Sequence, residues 1–488
     1  MKIVLINPNN GGRHPLMEPI PPFSLAALAA IAKGRGHEVE VWDQFATRED
    51  ERSLVSRLTA AAADMVGITS LTPAYPTARR ILKQYRDGGG RGMTVLGGVH
   101  PTIFHREILA EKAADGIVRR EGETPFAELL AAVETKSPLT NVAGLSFRDG
   151  DEIVVNPDHE QVADLTSLPF PAWECLTDGL DVYAEAPTLG LFGRTLPILA
   201  SRGCPMRCTF CGQEIFHKGV RTRPVEHVLE EVRFLQSEFR IRNFVFLDAN
   251  FPTRRADGIA FCNAMRESGL HRDLHWSAEL AVSLADRELI FEMASAGCTN
   301  LEFGFEVGDA KVLKETRKGT TLEQAYHVAR WAREAGIHVF GLFMIGLPGE
   351  NTSHLRRTFR VAKRLDCDMA KFNVAIPYPG CELFERHREE LMRDFDPETY
   401  CAWFRSSDKQ RRVTVVPGGM SATTLLLWQR LMMFAYYLRP RMIARHLRRR
   451  SLRMSHMRTG FGFLLRDLAS AAWAWFRAKL ASPWKSPT

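Results

Sequence analysis

The chain has 488 residues, 45% of them hydrophobic, which is too long for one compact core and calls for two or three folded domains. Its net charge of +7 is unevenly placed: from Lys409 onward 16 Lys and Arg meet one acidic residue, Asp467, so this tail carries +15 and the rest of the chain −8. Outside one central trio, the nine cysteines stand singly among apolar residues, which excludes a disulfide framework and fits the reduced thiols of a cytoplasmic protein. The N-terminus lacks a signal peptide's apolar region, and no apolar run reaches the roughly 18 residues of a membrane span.

Residues 1–165 alternate short apolar strands, expected at 2–7, 38–43, 65–70, 93–97 and 116–119, with helical spacing at 24–34, 49–63 and 77–87. That alternation predicts an α/β domain with a parallel, doubly wound sheet, whose ligands bind outside the carboxyl ends of the strands. Those ends carry Asn9-Asn10-Gly11-Gly12, Asp43, Ser70-Leu71-Thr72, Gly97-Gly98-Val99-His100 and Glu121-Gly122-Glu123. A helix at 126–134 follows, then a hairpin of 145–147 and 153–155 turning at Asp149-Gly150-Asp151. Prolines hold Leu168-Pro169-Phe170-Pro171-Ala172-Trp173 extended, and 166–192 reads as a linker.

Next comes Ala200-Ser201-Arg202-Gly203-Cys204-Pro205-Met206-Arg207-Cys208-Thr209-Phe210-Cys211-Gly212, behind an apolar run at 196–200. Cys204, Cys208 and Cys211 sit on one short loop, close enough to converge on a soft metal centre. With three thiolates and no fourth local cysteine, a four-iron cluster keeps one iron open, the mark of a catalytic centre. The alternative is a structural zinc loop with His217 as fourth ligand, but six residues past the last cysteine lies outside the usual short ligand spacings. From 193 to 400 strands and helices alternate as in a partial parallel barrel, with strands at 244–248, 275–279, 300–308, 339–348 and 370–379.

The cysteine spacing, with Phe210 before the last cysteine and Gly212 after it, resembles the signature of radical S-adenosylmethionine enzymes. The resemblance implies a 4Fe-4S cluster whose open iron is chelated by S-adenosylmethionine, and one-electron cleavage to a 5′-deoxyadenosyl radical. Asp248 at a strand end, Glu306 in Gly304-Phe305-Glu306-Val307-Gly308, Gly346 in the run 341–350, and Pro377 in Ile376-Pro377-Tyr378-Pro379-Gly380 match elements that hold that cofactor in the family. Two departures stand out. Val307 replaces a usual Ser, and Glu279-Leu280-Ala281 lacks an arginine that many relatives place near the methionine moiety. The strand-end array of the first 165 residues resembles the cobalamin-binding, Rossmann-like domain of one branch of this superfamily. On that resemblance Asn10, Gly11, Ser70, Leu71, Thr72, Gly97, Gly98, Val99, Glu121 and Gly122 are the expected cobalamin contacts. The glycines admit close backbone approach, and Ser70 and Thr72 can hydrogen-bond the nucleotide tail. The D-x-H-x-x-G motif that supplies a cobalt ligand elsewhere is absent, and His100, the nearest candidate, reads as lining a loop or capping a helix.

Residues 401–488 read as a basic helical domain, with 423–438 apolar nearly all round and expected to pack on the barrel. Basic residues beside Trp473, Trp475 and Phe476 suit either an interfacial helix on anionic lipid or a solvated face with the aromatics buried; nucleic acid is disfavoured because no recognised motif accompanies the charge. The resemblance implies methyl transfer to an unactivated carbon of a small molecule, with a lipid, a tetrapyrrole and a natural product as the candidates, and with flavodoxin or ferredoxin supplying the electron. A second branch, the anaerobic magnesium-protoporphyrin monomethyl ester cyclases, would use the same cofactors for oxidation and ring closure. A non-catalytic metal-binding regulator is the reading from another class. The expected location is the cytoplasm, with peripheral membrane contact through the tail.

Overall fold

The computed structural model describes residues 1–9, 19–183, 185–186, 191–216, 218–400 and 420–449, together with 462, 465–466, 468–473 and 475–476. Its N-terminal sheet has seven strands: β1 (Lys2–Asn7), β2 (Glu38–Asp43), β3 (Met65–Thr69), β4 (Met93–Gly97), β5 (Gly116–Val118), β6 (Leu145–Asp149) and β7 (Glu152–Val155), in the order β2-β1-β3-β4-β5-β6-β7. The first five are parallel, with Ile3 opposite both Val39 and Met65, and their middles are apolar on both faces because helices cover both sides. The expected hairpin does more than punctuate the chain. It adds β6 and β7 antiparallel to β5 and extends the same sheet.

Helix α1 (Phe23–Gly34) follows Pro21-Pro22 and buries Leu25, Ala26, Ala29 and Ala32, a stripe at helical spacing whose alanines bring it close to the sheet. The proline-rich segment expected to link two domains lies against this helix. The Ala172 amide donates to the Ala26 carbonyl at 3.0 Å, and Trp173, 1% exposed, meets the Phe23 ring edge-on at 6.1 Å.

Six parallel strands in sequential order form the second unit: β8 (Thr195–Ile198), β9 (Asn243–Phe246), β10 (His275–Glu279), β11 (Cys298–Glu306), β12 (His338–Ile345) and β13 (Met369–Val374). Sequential parallel pairing without closure of β8 on β13 is an open barrel. In β12 and β13 buried and half-buried residues alternate, so the packed core lies between strands and outer helices, at Phe343, Phe372 and Ala370. The alternate positions, including Glu302, Leu342, Lys371 and Asn373, are half-buried on the opposite face, that of the lumen.

The open edge at β13 is covered by α2 (Ala422–Tyr437), as its apolar composition led one to expect. Its polar side chains also take the place of a missing strand: Tyr437 Oη accepts from the Ala370 amide at 3.0 Å and donates to its carbonyl at 2.8 Å, while Gln429 Nε2 donates to the Phe372 carbonyl at 2.8 Å. Helix α3 (Pro440–Arg449) continues the basic segment, whose charges at two positions are committed: Arg445 in the helix pairs with Asp366 and lies 3.6 Å from Asp368, while Arg439 just before it reaches Asp366 at 3.3 Å. Among the described residues no helix is long and apolar enough to cross a membrane.

Candidate active site

A cavity of about 890 Å³ lies between the carboxyl ends of the N-terminal strands and the mouth of the barrel. Leu71, Thr72, Gly97, Gly98, Val99, Glu121 and Gly122 form its wall on one side, Cys211 and Gly212 on the other. Two clusters of candidates that lie about a hundred residues apart in the chain therefore face one space. The cavity also runs beneath the N-terminal sheet, where Leu5, Gly67, Val95 and Val118 share a face opposite Leu25, Leu28 and Phe126. Gly67 was not foreseen as part of the site. A Cβ there would come within 2.7 Å of Leu5 Cδ2, so the missing side chain makes room for Leu5 on this wall.

Four expected cobalamin contacts need correction or fall outside view. Ser70 is buried at 1% exposure and donates its hydroxyl to the Leu71 carbonyl, while its backbone links the loops after β3 and β4 through Gly97 O and His100 N. It shapes the wall without forming it. Glu121 does line the cavity, but Arg202 Nη1 approaches its carboxylate at 3.0 Å and Arg221 Nη1 at 3.1 Å, and Arg202 also bonds Glu123. This nearly water-free cluster bolts the first domain to the ribbon of Ser201–Arg202 and Arg221–Thr222 that closes the cysteine loop. Asn10 and Gly11 lie outside the described residues, as does His217.

His100 does not face the cavity. It is 2% exposed, with Tyr75 at 4.4 Å and Phe104 at 4.7 Å between ring centroids, and burial pushes its imidazole down to about 3. A neutral ring inside an aromatic stack is a core residue.

On the barrel side, the loop between Arg202 and Arg221 carries the three thiols. The Cys211 amide bonds the Cys208 carbonyl at 3.1 Å, and Thr209 is held from both sides, donating to Thr316 O at 3.1 Å and accepting from Leu383 N at 2.8 Å. Phe210 anchors the loop in apolar clusters with Val307, Leu347 and Phe384. Val307, 1% exposed, thus packs where a polar residue had been expected to make a contact. Burial pushes the Cys208 thiol up to about 12, opposed by Lys318, and raises Cys211 too; thiols so placed exchange a proton for a metal. Among the described residues no three ligating side chains group as one metal ion would require. A cluster asks for a wider set, one thiolate on each of three irons, and three thiols on one clamped loop fit it.

Asp248 is buried at 3% exposure; it accepts from the Ala200 amide at 3.0 Å and from the Ser201 hydroxyl. The carboxylate expected to touch cofactor is spent on orienting the start of the cysteine loop, and burial pushes it up to about 7. Gly346 is held the same way: Glu350 accepts from its amide at 2.6 Å and from Leu347 at 2.9 Å. Pro377 is buried, and its neighbours Tyr378 and Pro379 reach the cavity. Glu306 ends β11 in a left-handed conformation, φ 58°, beside a register shift, and pairs with Lys318. Lys318 was absent from the expected site. Nothing periodic marks it in Thr316-Arg317-Lys318-Gly319, and only the fold brings it to the thiols.

Residues 198–362 match the Radical SAM superfamily and residues 16–130 the B12 binding domain. An uncharacterized methyltransferase of Pyrococcus horikoshii is 30% identical over 368 residues, covering 75% of this chain and 78% of its own. The family is thereby settled. The chain belongs to the cobalamin-binding branch of the radical S-adenosylmethionine enzymes. Its cofactors are a 4Fe-4S cluster, S-adenosylmethionine and cobalamin. The anaerobic magnesium-protoporphyrin IX monomethyl ester cyclase of Cereibacter sphaeroides is 30% identical over 402 residues, 80% of this chain and 64% of that one. In fold, the chain is similar to a radical S-adenosylmethionine methyltransferase of Kitasatospora setae solved with tryptophan and a cofactor analogue, with a TM-score of 0.71, 19% identity and 90% of each chain covered.

Proposed function

We propose that this enzyme transfers a methyl group to an unactivated carbon of a small molecule held between its two cofactors. The supporting observation is the single cavity that has the Gly97-Gly98 wall on one side and Cys211-Gly212 on the other. In this reading Cys204, Cys208 and Cys211 hold the cluster, Glu306 and the Gly346 loop hold S-adenosylmethionine, and the part of the cavity beneath the sheet at Gly67 takes the nucleotide tail of cobalamin. When bound, these groups supply a 5′-deoxyadenosyl radical and a transferable methyl group. The chain's own residues place and shield: Glu121, Arg202 and Arg221 fix the two walls relative to each other, Asp248 and Thr209 fix the loop, and the apolar lining keeps water from the reacting carbon. The domain division that goes with this is 1–165, a linker at 166–192, the barrel at 193–400 and the helical tail at 401–488.

The similarity to the anaerobic cyclase supports a second reading, oxidation and ring closure with the same cofactors. Anaerobic turnover with methyl-labelled S-adenosylmethionine and candidate lipid, tetrapyrrole and natural-product substrates separates the two by mass spectrometry. Label in the product supports methyl transfer, and an oxidised, unlabelled product supports cyclisation. Flavodoxin or ferredoxin is the proposed electron donor. The protein is placed in the cytoplasm, with the tail at a membrane surface: Trp473 and Phe476 are 60% and 48% exposed and stack at 6.2 Å in a chain segment rich in Arg. Sedimentation with anionic vesicles at low and high salt tests that contact; protein left in the supernatant at low salt would remove it.

A further inference from the structure

After β13 the chain crosses back to the N-terminal domain through two short helices, Glu382–Arg386 and Arg388–Arg393, and a turn at Pro397–Thr399. The start of this strap holds the cysteine loop: the Leu383 amide donates to the Thr209 carbonyl at 2.8 Å, and Leu383, Phe384 and Tyr400 form one apolar cluster with Phe210. Its end holds the other wall of the cavity. Thr72–Ala74 packs on the Pro397–Thr399 turn, and Arg80 reaches Glu398 at 3.3 Å. Between these ends stands Phe395. On one side it meets the Phe384 ring edge-on at 6.4 Å and the Tyr400 ring at 4.7 Å; on the other it meets the Phe104 ring at 5.0 Å and stacks on His100 at 6.4 Å. Phe395 and Met392 are thus shared by the cluster at Phe210 and by the apolar core of the N-terminal sheet. The root of the strap is as closely packed: a Cβ on Gly380, φ 88°, would run into Ile215 of the cysteine loop and lie 3.3 Å from Ile103 Cδ1, in the segment after Gly98.

The two walls of the cavity are therefore tied twice. Glu121, Arg202 and Arg221 join them at the base of the cysteine loop, and the strap joins them at Thr209 and Phe210, between the thiols of Cys208 and Cys211. One tie leaves a hinge, and a second, placed elsewhere on the same loop, removes the rotation. Group transfer between two separately held cofactors is sensitive to such a rotation, because misplacement by about 1 Å can cost on the order of a hundredfold in rate. The second tie is aromatic, so its stiffness comes from packing: rings in a dense interior do not shift unless their neighbours move. We propose that Phe395 is a positioning residue, acting through Phe384 and Phe104 to hold the cysteine loop and the cobalamin loops at one separation. The proposal rests on the assignment of the two walls to the two cofactors.

The test is the magnetic interaction between the reduced cluster and Co(II) cobalamin in the anaerobically reconstituted full chain. Electron paramagnetic resonance reads it as splitting or relaxation enhancement of the Co(II) signal, and both weaken steeply as the two spins move apart. Wild type should give a single interaction strength. Phe395→Ala should replace it with a weaker or dispersed one, while cluster absorbance and bound cobalamin stay at wild-type stoichiometry. Phe395→Tyr, which keeps the ring, should restore the wild-type signal. Phe395→Leu, which keeps apolar volume and loses the ring, should fall between the two, and is the variant to read if Phe395→Ala does not fold. A wild-type signal in the alanine or leucine variant with both cofactors bound would overturn the proposal and leave Phe395 a packing residue, whose loss lowers only the thermal midpoint. If wild type carries both cofactors but their spins do not interact, the two walls do not hold them as assigned, and that reading fails together with the proposal.

Discussion

On the barrel side, Cys211 and Arg202 bring a thiol and a charge to the cavity wall, and the rest of the cysteine loop belongs to a charged group in which Glu306, in a left-handed conformation, pairs with Lys318. On the sheet side the wall is built largely from what is missing. Gly67 makes room for Leu5, Gly97 and Gly98 bare the backbone, and the side chains around them are aliphatic. The contrast fits the proposed placement of the cofactors: a cluster and its S-adenosylmethionine are recognised by charge and coordination, whereas a large ring with a long tail needs room and backbone contacts. Barrel-side substitutions should therefore act on chemistry and electrostatics, and sheet-side substitutions on space.

The largest effect is expected at the thiols. Changing any one of Cys204, Cys208 or Cys211 to Ala should abolish the brown absorbance of the reconstituted protein and all 5′-deoxyadenosine formation, while cobalamin still binds to the sheet side. Cys262 and Cys367, buried in the barrel core, should tolerate Ala with the cluster intact. A single-thiol variant that still cleaves S-adenosylmethionine would break the comparison at its strongest point.

Sheet-side changes should give the converse. Gly98 sits at φ 99°, ψ −171°, a region that L side chains avoid, and a Cβ there would lie 2.8 and 2.9 Å from Ser70 backbone atoms. Gly98→Ala is expected to cost about 3 kcal/mol, seen as a lower midpoint in thermal unfolding. Gly67→Leu should displace the Leu5 side chain and crowd this wall of the cavity, so that cobalamin no longer co-purifies while cluster absorbance persists. If Gly67→Leu retains cobalamin at full stoichiometry, the tail lies elsewhere.

How much of this was legible follows the same division. The cysteines, Glu306 and the Gly346 loop were proposed straight from the sequence because such chemistry is restricted to particular residues at particular spacings. Strand ends in the N-terminal sheet were also readable, since apolar runs ending in Gly, Asn or Ser mark them locally. Illegible were the partners made by folding. Glu121 looked like a ligand contact until Arg202 and Arg221 claimed its carboxylate, and Asp248 until Ala200 and Ser201 did. Gly67, alone inside Met65-Val66-Gly67-Ile68-Thr69, was the signal available for this wall, since a glycine within a strand marks close approach.

A smaller effect should separate the two walls by pH. Glu302 lies on the lumen face of β11, opposite Glu279 in register. Burial first, then the Glu279 charge, pushes its carboxyl up to about 8, with Lys371 opposing. Glu279 is itself raised, by burial first and then by the Glu306 charge, with Lys318 and Lys371 opposing. A carboxyl raised on folding contributes stability that is fully present below its unfolded value of 4.5 and is lost as pH climbs through 8. In scanning calorimetry Glu302→Gln should therefore fall less steeply between pH 5 and 9 than wild type. Parallel pH profiles would show that the lumen carboxylates are solvated.

The smallest effect is expected at His100, the histidine nearest the sheet-side strand ends that was weighed as a cobalt ligand. Its ring lies between Tyr75 and Phe104 with Phe395 stacked at 6.4 Å, and its Nδ1 is buried without a hydrogen-bond partner. An aromatic hydrocarbon of similar size suits that stack, so His100→Phe should change stability by less than about 1.5 kcal/mol. It should also leave the electron paramagnetic resonance of Co(II) cobalamin bound to the full chain unaltered, because a ring turned into the core cannot reach a ligand in the cavity. Nitrogen superhyperfine splitting present in wild type and lost in His100→Phe would mean that the loop after β4 turns outward to the metal, and that the sheet side, like the barrel side, binds through a side chain.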